Sequence, residues 1–408
     1  MAGRLKPWIV LAAACLWPAQ ALASIPAGNT TDPLQRSALL SLGSIYRVET
    51  TVSIGALRAG NGTGRTYPLG RIHDVTLLGT AFVVVPTGVL VTPAHVAAPF
   101  GPSLAVAAAP LALAQVGEFG SEAAYEKWVS DNQVVPVRAK VVALRVWRAT
   151  ANPAITEAPV PAHLVPNSAE ATPDLALLQL DDDHNLPALT FNEGETLGTP
   201  IVTIGYGTST PTTLGLPTTL VPSVKTGQLG PTGKTNAAPG QLVTYISAPI
   251  SHGDSGAPVV DPFPNAQAHG LVRFQDGGGG LIEPAQAIFD LLEREHIQPP
   301  TSGGPVYDEF ATGMKDMWSG NYVGAQAAFA NTLAADPTHP LAAQEQRLAA
   351  QLAQAKPAPG RPAWWRVLFG GIGALAALAA LLCVWRLRRL GRLRDGHDDA
   401  AAHVPPAQ

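Results

Sequence analysis

The chain has 408 residues, 46% hydrophobic and 14% charged, with a formal net charge of −4. Length and apolar content predict two or three domains with apolar residues to spare for a membrane. The absence of a basic excess speaks against nucleic acid as a partner. Cys15 and Cys383, the two cysteines, both fall in apolar targeting or spanning segments. The soluble part therefore has no disulfide, no thiol nucleophile and no thiolate metal site, and a domain above 200 residues can form a core without them.

Residues 1–23 read as a secretory signal peptide. Arg4 and Lys6 precede a short apolar run from Trp8 to Trp17, and Ala21-Leu22-Ala23 supplies small residues for cleavage. The run is too short to span a bilayer, although an uncleaved anchor is the alternative. From Ser44 to Gln298, short β-branched runs alternate with turn formers drawn from 40 Gly and 38 Pro. The predicted strands include Tyr46–Ile54, Leu77–Val85, Val135–Val146, Ala176–Leu180, Ile201–Ile204, Leu242–Ile246 and Gly270–Phe274. This pattern is mainly β, a sandwich or a barrel pair. Ala123–Val129 and Ala285–His296 read as helices, the second amphipathic through Ile288, Leu291 and Leu292.

A linker at 299–306 leads to an Ala-rich helical segment at 307–355. Gly320-Asn321-Tyr322, Ala325, Phe329, Leu333, Asp336 and Pro337 fall at tetratricopeptide spacing, with Gly313 at the small position of the first helix. The segment resembles one such repeat, with a third helix over Pro340–Ala355. A lone repeat is marginal, which predicts packing on the main domain or on a protein partner. A plain helical stalk is the alternative. After a second linker at 356–366, residues 367–385 carry no charge, and nineteen helical residues span roughly 28 Å. Trp364, Trp365 and Trp385 sit at the edges, and Arg386, Arg388, Arg389, Arg392 and Arg394 follow. The arginines assign the tail at 386–408 to the cytoplasm and the body to the other side. The expected location is the inner membrane of a cell with a periplasm, the body on the periplasmic side. Small residues at Gly370, Gly373, Ala374 and Ala377 would let two such helices pair.

Three segments carry chemistry. They are Thr92-Pro93-Ala94-His95, Asp174 at the head of the apolar run Leu175–Leu180, and His252-Gly253-Asp254-Ser255-Gly256-Ala257-Pro258. A serine hydroxyl is a poor nucleophile until a histidine accepts its proton and a carboxylate orients that histidine. The tetrahedral intermediate needs backbone donors, and glycines beside the serine allow the Gly253 and Ser255 amides to face one point. Each piece alone has a bland structural reading; together, in the order His, Asp, Ser, they point to acyl transfer.

These residues resemble the chymotrypsin-fold (trypsin-like) serine peptidases over about residues 40–298. The matching motifs are Thr92-Pro93-Ala94-His95 (Pro93 departs from the usual alanine), Asp174–Leu178, Gly253–Gly256 and the strand Gly270–Phe274. Thr226-Gly227 fits a turn of bacterial Htr-like members. The resemblance implies two six-stranded β-barrels with the site in the cleft between them. It implies a serine endopeptidase acting on proteins or peptides, without metal or cofactor. His95 would be the general base and then acid, Asp174 its orienting carboxylate, Ser255 the nucleophile, and Gly253 and Ser255 the oxyanion donors. Pro249 stands where the family places the base of the specificity pocket, and Arg273, Phe274 and Gln275 on the strand beside substrate. Without an acidic residue at 249, a small or apolar side chain before the scissile bond is expected rather than Lys or Arg.

The match has consequences at Asp254. Animal members pair this carboxylate with a freed N-terminus, and no such activation sequence is present. Asp254 is therefore expected to find Arg, Lys, His252 or a hydrogen-bond network. The long interval between His95 and Asp174 predicts inserted loops around Gly117–Gln133 and Ala149–Thr172. Asp181, Asp182 and Asp183 are rival carboxylates that read as a solvated turn. The competing functional reading is an inactive peptidase fold that binds or senses at the membrane. An esterase of another fold is disfavoured by the order of the three residues, and a metalloenzyme by histidines that lack ligand spacing.

Overall fold

The computed structural model describes residues 30–58, 66–99, 127–129, 131–150, 158–171, 173–181, 185–192, 194, 196–207, 221–235, 238–276 and 279–354. The expected signal peptide and membrane span, and most of the helix expected at Ala123–Val129, lie outside these residues. Among the described residues no helix is long and apolar enough to cross a membrane.

Helix α1 (Pro33–Ser41) opens the chain, capped by Asp32, whose side chain accepts the Leu34 amide at 2.9 Å. The first sheet then forms from β1 (Ile45–Arg58), β2 (Thr66–Val85), β3 (Val89–Thr92), β4 (Val135–Val137), β5 (Lys140–Arg148), β6 (Ala162–Leu164), β7 (Glu170–Ala171) and β8 (Asp174–Leu180). Its order is β4-β1-β2-β3-β8-β6, with β5 also on β1 and β7 also on β8. Strand β8 is apolar along nearly its whole length because it pairs with β3 on one side and β6 and β7 on the other, and almost all its residues are buried. Tyr46, Val48, Val83, Leu90, Val146 and Leu178 belong to the core of this sheet.

The second sheet comprises β9 (Pro200–Gly205), β10 (Ser223–Thr235), β11 (Ala238–Ile246), β12 (Pro258–Val260), β13 (Ala268–Asp276) and β14 (Gly279–Pro284). It closes as β10-β11-β14-β13-β12-β9 around Ile201, Leu229, Ile246, Val259, Val272 and Ile282. The chain is thus mainly β, with one closed six-stranded barrel and one half-barrel, where two closed barrels were expected. Among the described residues the first sheet does not close, and one isolated bridge, Val146 with Val160, joins β5 to the stretch before β6. Pro159 and Pro161 flank Val160 and have no N–H to extend a ladder.

Other departures are local. The run expected as one strand at Val135–Val146 breaks at Arg138, which has φ +57° and separates β4 from β5. The interval Ala149–Thr172, expected as loop, holds β6 and β7 on β8. Thr226 and Gly227 pair with Val202 and Ile201 inside β10 instead of turning.

Helix α2 (Ala94–Ala97) is a single turn after β3, and α3 (Ala285–Arg294) follows the second barrel, burying Ala285, Ile288, Leu291 and Leu292. Three more helices follow, α4 (Gly304–Ser319), α5 (Tyr322–Ala335) and α6 (Ala342–Gln354). A Cβ at Gly313 of α4 would lie 2.6 Å from the Phe329 ring of α5, so the glycine lets these two helices approach. The pair is docked on the β structure rather than standing clear as a stalk. Arg148, at the end of β5, grips Asp336 in a two-pronged pair at 2.8 and 2.5 Å and also donates to Thr338 and the Gly43 carbonyl. On another side, the Arg36 guanidinium lies 4.5 Å from the Trp318 ring centroid, and Phe263 meets the same ring edge-on at 5.0 Å.

Buried polar groups in this segment are not all matched. His339 stacks on Phe310 at 4.2 Å, and burial, with help from the Arg148 charge, pushes its imidazole down to about 3. Glu345 of α6 is 1% exposed, and among the described residues neither of its oxygens has a hydrogen-bond partner. Burial pushes this carboxyl from 4.5 up to about 7. The folded state therefore holds the proton more tightly, and the cost of burying Glu345 grows as pH rises from 4.5 through 7. Glu345→Gln is expected to stabilise the chain at pH 8 by up to about 3 kcal/mol, with the gain vanishing by about pH 4. Urea unfolding at the two pH values checks it.

Candidate active site

Thr80 of β2 joins the two sheets. Its amide donates to the Ser255 carbonyl at 2.8 Å, and its hydroxyl donates to the Gly253 carbonyl at 2.8 Å while accepting the Tyr206 amide at 3.1 Å. Thr92 in turn donates to the Thr80 carbonyl at 2.8 Å. The threonine thus anchors the loop between β11 and β12, which carries the candidate nucleophile, to the strand beside the candidate base.

His95 sits in α2, immediately after Thr92 ends β3 and Pro93 stops the strand. Asp174 begins β8 on the far side of β3. The pairing of β3 with β8, Thr92 opposite Ala176, brings the two together. One Asp174 oxygen accepts the His95 amide at 3.0 Å and the other meets His95 Nδ1 at 2.6 Å. Two contacts to one carboxylate fix the ring and place the Nδ1 proton on the Asp174 side. Burial alone would raise the Asp174 carboxyl. The hydrogen bond and charge of His95, its backbone amide and the nearby Arg273 guanidinium outweigh that and hold the carboxyl below its ordinary value. The rival Asp181 is half-exposed and pairs with His163 at 2.8 Å, in keeping with a solvated turn.

Ser255 is partly exposed on the loop, and its hydroxyl donates to the Arg273 carbonyl of β13 at 3.0 Å. Its neighbours need glycine. Gly253 has φ +96° and a Cβ there would lie 2.4 Å from the Tyr206 carbonyl oxygen. Gly256 has φ +94° and a Cβ there would lie 1.8 Å from that of Thr80. Beyond the loop, Gly256 donates to the Val272 carbonyl at 2.6 Å and Val272 donates to that of Ala257 at 2.9 Å, which ties the nucleophile to β13.

Of the other expected residues, Pro249 is exposed between buried Ala248 and Ile250. Phe274 and Gln275 lie on β13 opposite Leu281 and Gly280. Arg273 sits at the register shift of the same strand, and its side chain turns inward, 3.7 Å from Asp174 and 2.9 Å from Glu283. Glu283, fully buried in β14, also accepts the Asp174 amide at 3.2 Å. It was not among the sequence candidates. The available signal was one acid in the apolar stretch Leu281-Ile282-Glu283, whose meaning depends on which strand lies opposite. Among the described residues no group of three or more His, Cys, Asp or Glu could hold a metal ion.

The partner of Asp254 is Lys225 of β10. The ammonium meets Oδ2 of Asp254 and donates to Ser251 at 2.8 Å. The amides of Ser251 and Gly207 donate to the same carboxylate at 2.8 and 3.0 Å. Among the described residues an internal cation and two amides thus satisfy a carboxylate that is 1% exposed. Breaking a buried pair strands a charge, and here the stranded charge adjoins the nucleophile. Lys225→Met is expected to lower Ser255 labelling by a fluorophosphonate about 100-fold, and Lys225→Arg to recover part of it. Labelling rates of the folded variants test this.

Comparison with known proteins gives one family match. Residues 79–263, which include His95, Asp174 and Ser255, match the family model described as a trypsin-like peptidase domain. No curated protein sequence matches the chain. Among solved structures, the active form of the Rv3671c protease from M. tuberculosis is similar at 17% identity and a TM-score of 0.38, over 74% of this chain and 98% of that one. The HtrA-type protease AlgW, solved with a decapeptide, is similar at 18% identity and a TM-score of 0.39, over 64% of this chain and 66% of that one. These superpositions are loose, and the fold rests on the strand pairing above. The match of residues 79–263 to a trypsin-like peptidase domain supports a serine-type endopeptidase, a hydrolase.

Proposed function

We propose that the chain is a membrane-anchored endopeptidase, active outside the cytoplasm, in which His95, Asp174 and Ser255 form the catalytic triad. The observation that carries this reading is the double contact of Asp174 with His95, made beside a serine loop that Thr80 and Lys225 hold in place.

In the proposed reaction the Ser255 hydroxyl leaves the Arg273 carbonyl by a turn about χ1 and presents its proton to His95 Nε2. The oxygen attacks the substrate carbonyl as that proton transfers, and Asp174 stabilises the imidazolium that results. The amides of Gly253 and Ser255 receive the oxyanion. Collapse breaks the C–N bond, the His95 proton passes to the leaving amine, and an acyl-Ser255 ester remains. A water molecule then repeats the sequence, giving up a proton to His95 and releasing the acid product and the free hydroxyl.

Support for the location comes from the amino-acid sequence. The basic-then-apolar start and the charge-free run 367–385 followed by arginines together orient the body away from the cytoplasm. An inner membrane with the body in a periplasm is the proposed location, and the same pattern also fits a single-membrane cell surface. The helices at 304–354 are proposed as a tetratricopeptide-like element, one that could hold a protein partner on the face turned away from the barrels.

The test is labelling of the full chain, in detergent, with a fluorophosphonate probe. The native chain is expected to label without N-terminal trimming, as the internal Lys225 partner of Asp254 requires. Ser255→Ala and His95→Ala are expected to abolish the label. A native chain that stays unlabelled would favour the inactive binding or sensing protein instead.

A further inference from the structure

The proposed triad rests on two charged residues that its chemistry does not use. Arg273 of β13 places Nε 3.7 Å from Asp174 Oδ2 and donates from Nη1 to Glu283 Oε1 at 2.9 Å. The same Glu283 oxygen accepts the Asp174 amide at 3.2 Å. The backbone of Arg273 takes part as well, since its carbonyl accepts the Ser255 hydroxyl. One residue therefore touches Asp174 through its side chain and Ser255 through its main chain. A second residue holds the first and the backbone of Asp174.

A buried ion pair is a poor source of stability, and apolar residues of similar volume usually serve a β-barrel as well or better. The charges here have a different consequence. A guanidinium beside Asp174 favours the carboxylate, but a positive charge with no counterweight would also oppose the imidazolium that forms on His95 during attack. Glu283 supplies the counterweight.

We propose that Arg273 and Glu283 are a positioning pair for the triad: Arg273 sets the Asp174 carboxylate and the carbonyl that receives Ser255, and Glu283 cancels the Arg273 charge so that His95 can become cationic. This rests on the triad reading above. The charged groups facing Glu283 are Arg273 from β13 and Asp174 from β8, with His95 of α2 beyond Asp174. Burial pushes the Glu283 carboxyl up to about 7 against the pull of Arg273, so the counterweight is itself lost as pH falls through that value.

The test uses the full chain and the rate of fluorophosphonate labelling from pH 5 to 9, which needs no knowledge of the substrate. Glu283→Gln keeps the shape and removes the counterweight. It is expected to slow labelling and to move the acid limb of the profile to lower pH by less than about one unit, because Glu283 is itself partly protonated near 7. Adding Arg273→Met to that variant removes the uncancelled charge and is expected to return the limb toward its native position. Arg273→Lys keeps both charges without the fork, and is expected to slow labelling with the limb in place. It also stands in if Glu283→Gln does not fold. A slower rate with an unmoved limb in Glu283→Gln, or a displaced limb in Arg273→Lys, overturns the pair and leaves the triad standing. A native chain without Ser255-dependent labelling overturns the triad and this inference with it.

Discussion

A carboxylate buried where two sheets meet organises this molecule. Asp174 is 6% exposed at the first position of β8, and a charge taken from water at that depth must be met by donors or a cation. His95 meets it from the first sheet with a ring nitrogen and an amide, and Arg273 approaches from the second. The donors come from elements far apart in the chain, so the carboxylate is satisfied only when both sheets are in register. The site and the joint between the sheets share one set of contacts.

The same rule recurs at other buried carboxylates. Asp254 shapes the loop around Ser255 by drawing Lys225 and the Ser251 and Gly207 amides onto it. Asp336 draws Arg148 and so holds the helical segment to the end of β5. The Arg148 hydrogen bond and charge, together with Thr338 and His339, keep the Asp336 carboxyl below its ordinary value although burial alone would raise it. Because the partner in each case is a long side chain from another element, these ion pairs act as position markers more than as sources of net stability. Glu345 departs from the rule, which makes it a strained point in the helical segment.

The helices at 304–354 are joined to the β structure by chemistry unlike that within them. Inside the pair, a glycine against a phenylalanine ring lets two helices approach closely. At the boundary, the guanidinium of Arg148 grips a carboxylate and that of Arg36 lies over an indole. Such directional contacts fix an orientation, whereas apolar packing alone would tolerate sliding.

The amino-acid sequence by itself pointed to a mainly β chain with helices after it and to the three residues of the candidate site. Alternating β-branched runs, glycines at 253 and 256 and an aspartate heading an apolar strand are local patterns, and local patterns are what a sequence states directly. It also announced that Asp254 needs an internal partner, and it left that partner open among Arg, Lys, His252 and a hydrogen-bond network. Tertiary structure alone chose Lys225, because the choice depends on which residue of β10 comes to lie against Ser251. It alone turned Arg273 inward to Glu283, because a register shift in β13 decides where that side chain points. Among the described residues it left the first sheet open, with one bridge at Val160 between two prolines. Each of these outcomes depends on which strand lies opposite which, a pairing between residues tens to a hundred positions apart that no local pattern encodes.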